Sequence, residues 1–306
     1  MKISFALVLL LTCFSSRAGN PIDTAMAVDI GGIKQWITMK STSDTNPVLL
    51  FLHGGPGNSV MSYADKFTGE LQKKFVVVHW DQRESGNTAT LNKSTQPLTV
   101  ALMENDAIEV IHFLQDRFSQ EKIYLMGHSW GGFLGLMIAS HHPELLKGYI
   151  AICPMIHQRE SEKISLQWMK DRAKSEKNNQ ALNELSMVRI PFENGEQLYY
   201  HRSWLIRFMG GKPASKDVVV SWSQKWLALF NEASEINFMA LAPVLNCPVY
   251  FFEGDKDHQT YYKLTVDYYN MVSADKKKLF IFNNTAHNLP TKEPIKLQKT
   301  IIQEVE

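Results

Sequence analysis

Six short apolar runs constrain this chain more than any other feature. They fall at residues 48–52, 75–78, 122–126, 148–152, 249–252 and 279–282. Each is four or five residues long and apolar on both faces, the pattern of parallel strands covered by helices above and below. A further run at 33–39 reads as an earlier strand. Between the runs lie stretches of helical spacing. Residues 98–118 place Leu102, Ile108, Ile111 and Leu114 near one face. Residues 131–142 run up to Pro143, which cannot continue a helical ladder. Residues 261–271 and 295–305 give two more. Strands alternating with helices predict an α/β fold with a mostly parallel sheet.

The alternation breaks between residues 155 and 240. That stretch is charged and aromatic, contains Trp168, Trp204, Trp222 and Trp226, and reads as helical from 161 to 179. It is expected to be a helical cap inserted between a first core segment, 19–154, and a second, 241–306. No internal repeat or low-complexity linker interrupts this plan.

The first 18 residues carry the marks of an export signal. Lys2 precedes the apolar stretch 3–11, and Ser16 and Ala18 are small residues placed for cleavage after Ala18. The stretch is too short for a lasting membrane span. A periplasmic or secreted location is therefore expected. Cys13 offers a minor alternative as a lipidated first residue, although Thr12 is not the small residue such a site prefers. Formal net charge is +1, and no basic stripe points to a nucleic-acid partner. The two remaining cysteines, Cys153 and Cys247, are expected a strand length apart and unbridged.

The chemistry concentrates at Gly127-His128-Ser129-Trp130-Gly131-Gly132, between the third run and a helix. A serine flanked by glycines at a strand-to-helix turn is held on a strained backbone with its hydroxyl exposed. A serine hydroxyl needs a base, and in such folds the chain order is serine, acid, histidine. His287 follows the last apolar run in a loop. His258 adjoins Asp257 and could hardly turn back to share a proton with it, so His287 is preferred. After the run 249–252, Glu253-Gly254-Asp255-Lys256-Asp257 offers three carboxylates. Asp257 lies far enough into the loop to meet a histidine, whereas Asp255 is expected to bond its own turn. The oxyanion donors are expected to be the N–H of Trp130 and that of Gly55, in His53-Gly54-Gly55-Pro56-Gly57.

Together these residues resemble the proline iminopeptidase family of α/β-hydrolases. The resemblance covers His53 to Gly57, Gly127 to Gly132, the Gly254-to-Asp257 spacing, Asp106 and Glu109, and Asp81-Gln82-Arg83-Glu84-Ser85-Gly86, where Glu84 departs from the family's glycine. It implies a serine hydrolase of the α/β-hydrolase fold with a helical cap, removing proline or another small residue from a peptide N-terminus. Cap glutamates hold the substrate amine in that family. The family's Trp-Glu pair is absent here, and Glu193, Glu196, Glu232 and Glu235 are candidates by position only. Asp81 and Arg83 are expected to form a charged pair bracing the oxyanion loop.

The substrate is thus a small peptide or, alternatively, a small acyl ester cleaved by a carboxylesterase of the same fold. A ligand-binding protein without turnover is the reading from another class. The serine argues against dehalogenases and epoxide hydrolases, which use a carboxylate at that turn. No phosphate loop, dinucleotide fingerprint or HExxH occurs, and His141-His142 lacks a ligand spacing. No cofactor or metal is expected.

Overall fold

The computed structural model describes residues 19–305. The proposed export signal and Cys13 lie outside the described residues. Eight strands form the main sheet: β1 (Ile22–Ile30), β2 (Ile33–Ser41), β3 (Val48–Leu52), β4 (Val76–Asp81), β5 (Ile123–His128), β6 (Leu146–Ile152), β8 (Val249–Gly254) and β10 (Lys277–Phe282). Strands β7 (Val244–Leu245) and β9 (Ser273–Ala274) pair separately. The order across the main sheet is β1-β2-β4-β3-β5-β6-β8-β10. The pairings of β2 with β1 and with β4 are antiparallel, and all others in the sheet are parallel.

The six apolar runs are β3, β4, β5, β6, β8 and β10. All five residues of β3 are buried, as both faces are covered. Within the main sheet, β1 is the strand without a counterpart in the apolar runs. It alternates half-exposed and exposed residues on the sheet edge, so it carries no continuous apolar signal. The Gly31-Gly32 turn joining it to β2 is the usual chemistry of a two-residue hairpin and could have marked it.

Helices α1 (Asp65–Thr68), α2 (Gly86–Leu91), α3 (Val100–Phe118) and α4 (Trp130–His141) fall in the first half of the chain. Thr99 caps α3 by accepting from the Leu102 N–H at 3.2 Å. Helix α4 follows the serine turn and is buried from Trp130 to Ala139, which explains its lack of a polar face. Between β6 and β8 the chain inserts α5 (Gln158–Ser175), α6 (Asn179–Ser186), α7 (Gly195–Phe208), α8 (Lys216–Glu235) and the short α9 (Phe238–Leu241). Met169, Leu185, Trp204 and Leu205 form a small core within this insertion. Trp222 Nε1 donates to the Pro56 carbonyl at 2.9 Å and ties the insertion to the loop after β3. Helices α10 (Tyr262–Met271), α11 (Leu289–Lys292) and α12 (Pro294–Glu304) complete the chain.

Asp81 and Arg83 do not pair with each other, contrary to expectation. Arg83 holds Asp106 through Nε at 2.8 Å and Nη2 at 2.9 Å, and both side chains are buried. Arg83 Nη2 also donates to the Gly31 carbonyl at 2.7 Å, and the Gly31 N–H donates to Glu109 at 2.7 Å. This network fastens the β1–β2 hairpin to α3. Asp81 instead accepts from the Asn87 N–H at 2.7 Å, in the first turn of α2. The reason is geometric. Arg83 lies two residues beyond the end of β4, where a buried carboxylate on α3 is within its reach. The thiols of Cys153 and Cys247 are buried and unbridged.

Candidate active site

Parallel pairing brings the ends of β5, β6, β8 and β10 to one edge of the sheet. His128 at the end of β5 pairs with Ile152 at the end of β6, and Gly254 at the end of β8 pairs with Phe282 at the end of β10. The loops leaving these strands therefore emerge side by side. Ser129 turns sharply with φ 57° and ψ −116°, a conformation costing about 1–3 kcal/mol for a residue with a side chain. Its N–H donates to the Ile152 carbonyl at 3.0 Å, which holds the turn. A Cβ at Gly127 would overlap the Gly131 carbonyl, and one at Gly131 would overlap the Leu52 carbonyl. Those two glycines let the turn close against β3.

The acid and histidine loops are stitched together by their backbones. The Asp255 N–H donates to Phe282 at 3.1 Å, and the Lys256 N–H donates to Thr285 at 2.9 Å. Asp257 is fully buried. Its Oδ1 accepts from the N–H groups of Gln259 at 2.7 Å and Thr260 at 3.1 Å. Its Oδ2 lies 2.7 Å from His287 Nδ1, and His287 Nε2 lies 2.9 Å from Ser129 Oγ. Thr260 Oγ1 sits beside this link, 3.1 Å from Asp257 Oδ2 and 3.2 Å from His287 Nδ1. Burial pushes the Asp257 carboxyl up, but His287 and the donors around it outweigh burial and leave it below the usual range.

The alternatives to these residues point elsewhere. Contrary to expectation, Asp255 does not bond its own turn. Its Oδ1 accepts weakly from the Thr285 N–H across the loop at 3.4 Å. Asp257 makes the turn bonds itself. His258 stacks on Trp168 with centroids 3.9 Å apart. Two groups of donor atoms lie within 4.8 Å of one another, His128 with Cys153 and His287, and Cys153 with Glu253 and Asp257. In each, His287 or Asp257 is already engaged in the hydrogen bonds above. Glu253, fully buried, has its carboxyl pushed well above the usual range by burial and then by Asp257.

The loop after β3 lies against the serine. A Cβ on Gly54 would stand 3.3 Å from Ser129 Cβ. Gly55 follows with φ 118°, and the Trp130 N–H, first in α4, has no carbonyl one turn back within the helix. Gln82 joins the two elements. Its Nε2 donates to the His53 carbonyl at 3.0 Å, and its Oε1 accepts from Trp130 Nε1 at 3.0 Å. Gln82 belongs to a motif that carries the family resemblance, but nothing in its residue type announces this bridge.

His128, the residue before the serine, gives no sequence signal of a role either. Its ring lies 4.9 Å from that of His287, and its Nε2 is 2.9 Å from the His287 carbonyl oxygen. Burial, then the neighbouring His287, lowers its pKa to about 3. It is therefore neutral and donates through Nε2.

Two cavities flank the Ser129–His287 pair. One, about 280 Å³, is lined by Gly55, Ser129, Gln158, Arg202, Trp222 and Thr260 among others. The second, about 450 Å³, includes Phe51, Tyr63, Phe67, His128, Met209 and His287. Among the described residues, no Asp or Glu lines either. The four glutamates singled out by position lie elsewhere. Glu193 accepts from Gln197, Glu196 meets Lys216 and Tyr200, Glu232 accepts from the Val100 N–H, and Glu235 meets Arg159.

Comparison with known proteins agrees with this architecture. Residues 47–291 match the family model described as the alpha/beta hydrolase fold. A probable aminopeptidase, YbaC, of Bacillus subtilis (strain 168) is 28% identical over 299 residues, covering 90% of this chain and 93% of that protein. A bacterial membrane phospholipase A has a similar structure, with TM-score 0.67, 16% identity, and coverage of 92% of this chain and 85% of that one. So does a proline iminopeptidase-related protein of Thermus thermophilus, with TM-score 0.62, 18% identity, and coverage of 92% and 96%. A Gly-x-Ser-x-Gly turn between strand and helix, a mostly parallel eight-stranded sheet and a family match over most of its length thus converge, and this chain belongs to the alpha/beta hydrolase fold family as a hydrolase related to aminopeptidases.

Proposed function

We propose that this protein is a serine aminopeptidase that releases an N-terminal residue from small peptides. Ser129 is the nucleophile, His287 the base and Asp257 the acid that orients it. The observation that carries the reading is the continuous link from Ser129 Oγ to His287 Nε2 at 2.9 Å and from His287 Nδ1 to Asp257 Oδ2 at 2.7 Å. His287 takes the serine proton as Oγ attacks the scissile carbonyl, and Asp257 stabilises the imidazolium that forms. The N–H groups of Gly55 and Trp130 receive the oxyanion. His287 then returns the proton to the leaving amine. Water, activated by the same histidine, releases the acyl group and restores the serine.

The aminopeptidase assignment draws on the relationship to YbaC, described as a probable aminopeptidase. The leaving group belongs in the larger cavity, because that cavity touches His287, the proton donor, but not Ser129. The smaller cavity touches Ser129 and Gly55 and holds the acyl part. A carboxylesterase is the second reading. It is favoured by one observation, that neither cavity wall presents a described carboxylate to an N-terminal ammonium. Export through residues 1–18 is part of the same proposal, and the mass of the mature N-terminus tests it.

The deciding experiment is a panel of aminoacyl 4-nitroanilides and short acyl esters with the purified protein and its Ser129→Ala variant. Turnover of anilides that vanishes in the variant supports the aminopeptidase. Rapid ester cleavage without anilide turnover supports the esterase. Failure of a fluorophosphonate to label Ser129 would remove both.

A further inference from the structure

The wall of the acyl cavity carries one charged side chain among the described residues, Arg202 on α7. Its guanidinium lies 5.5 Å from the ring centroid of Phe192 and 5.6 Å from that of Phe230. Behind it is Glu162, fully buried on α5. Arg202 Nη1 donates to Glu162 Oε2 at 2.7 Å and lies 2.8 Å from His201 Nδ1, while Nη2 donates to Glu162 Oε1. Gln158 Nε2 donates to the same carboxylate at 2.6 Å. The arginine is thus set in place from behind, and its planar fork cannot swing freely.

A guanidinium has five N–H donors. Glu162 and His201 engage three of them. The Nε–H and the second Nη2–H have no hydrogen-bond partner among the described residues. These two hydrogens lie parallel on one edge, spaced to receive both oxygens of a carboxylate. Arg83 uses this same edge in this molecule, holding Asp106 through Nε and Nη2 at 2.8 and 2.9 Å. Arg202 lines the cavity beside Ser129 and keeps unengaged the same donor pair that Arg83 has already filled.

We infer that Arg202 selects acyl groups that carry a carboxylate. For an aminopeptidase this means an N-terminal glutamate in preference to a small apolar residue. For an esterase it means a monoester of a dicarboxylic acid. The inference rests on the assignment of the smaller cavity to the acyl group, and it holds for either reaction.

The test compares matched substrates. The kcat/KM for L-glutamyl 4-nitroanilide is expected to exceed that for the L-alanyl anilide by about tenfold or more, the scale of a charge-assisted hydrogen-bond pair. The mono-4-nitrophenyl ester of glutaric acid should exceed 4-nitrophenyl valerate similarly, after subtraction of spontaneous hydrolysis. Arg202→Lys retains a cation for Glu162 but loses the two-donor edge, and should bring both ratios to within about twofold. The double variant Arg202→Gln/Glu162→Gln leaves no ion buried alone and is read the same way if the lysine variant does not fold. Ratios near one in the wild type, or a tenfold ratio surviving in a folded Arg202→Lys protein, would overturn the assignment. Silent anilides with the ester ratio intact would defeat the aminopeptidase reading and leave Arg202's role standing. Anilides turned over equally, with equal esters, would do the reverse.

Discussion

Gln82 spans the gap between Trp130 and the loop that opposes it, accepting from the Trp130 indole at 3.0 Å while donating to the His53 carbonyl at 3.0 Å. Of the two proposed oxyanion donors, Trp130 bears that indole and Gly55 lies two residues past His53. One buried amide thus fixes the separation between the two halves of the proposed hole. The Gln82 N–H adds a third tie, to His53 Nε2 at 3.2 Å.

Gln82→Leu should lower kcat by roughly tenfold to a hundredfold while KM changes little, because positioning errors near an ångström cost about that much. Gln82 is a positioning residue and touches no reacting atom, so the serine should still react with a fluorophosphonate. The variant should also lose about 1–3 kcal/mol of stability, since two buried partners are left unpaired. Steady-state kinetics and urea melts on the same preparation check both.

Asp257→Asn should reduce kcat by about 10⁴-fold. An amide in place of the carboxylate can present N–H to His287 Nδ1, which favours the tautomer that cannot accept the serine proton. Thr260 cannot substitute, because its single hydroxyl hydrogen has Cys153 and Asp257 oxygens at 3.0 and 3.1 Å. Pre-steady-state acylation rates measure the effect directly.

Glu253→Gln should leave kcat within about threefold, since the side chain touches no reacting atom, and should remove a contribution to stability that declines as pH rises above about pH 5. Burial and then Asp257 push the Glu253 carboxyl well above its ordinary value, so it folds in its protonated form. A carboxyl raised on folding binds a proton that the unfolded chain has released above about pH 4.3. The contribution of Glu253 to stability therefore declines as pH rises from there toward the folded value, and the amide has no such contribution. Thermal melts between about pH 5 and 8 should show the variant gaining on the wild type.

Acid should destabilise the wild type from about pH 6.5 downward. Burial lowers His79 to about 4, His128 to about 3 and His201 to about 4. Unfolded histidines take up protons near about pH 6.5, so the unfolded state binds more protons below that point and is favoured as pH falls. Each such histidine contributes up to about 1.4 kcal/mol per pH unit until its folded value is reached. Asp257, held low in the fold, acts in the same sense below about pH 4. Urea melts at about pH 7, 6 and 5 should show midpoints falling at an increasing rate. A flat profile would mean that these histidines are not buried as neutral groups.

Local signals carried the core of this molecule. The continuous apolar runs determined β3 to β6 and β8, because a strand covered on both faces must be apolar at every position, and the last run marked β10 although that edge strand is largely half-exposed. The glycines of the serine turn, the proline ending α4 and the order of serine, acid and histidine are equally local. The edge strand β1 is half-exposed on its better-covered side, and its weaker alternation hides it. Tertiary structure alone decided which long-range partners meet. Arg83 finds Asp106 rather than Asp81, Gln82 bridges His53 and Trp130, and Arg202 takes its orientation from Glu162. Such pairings depend on helices and loops approaching from distant parts of the chain. Residue type states only that a donor or acceptor exists, while packing determines whose partner it becomes.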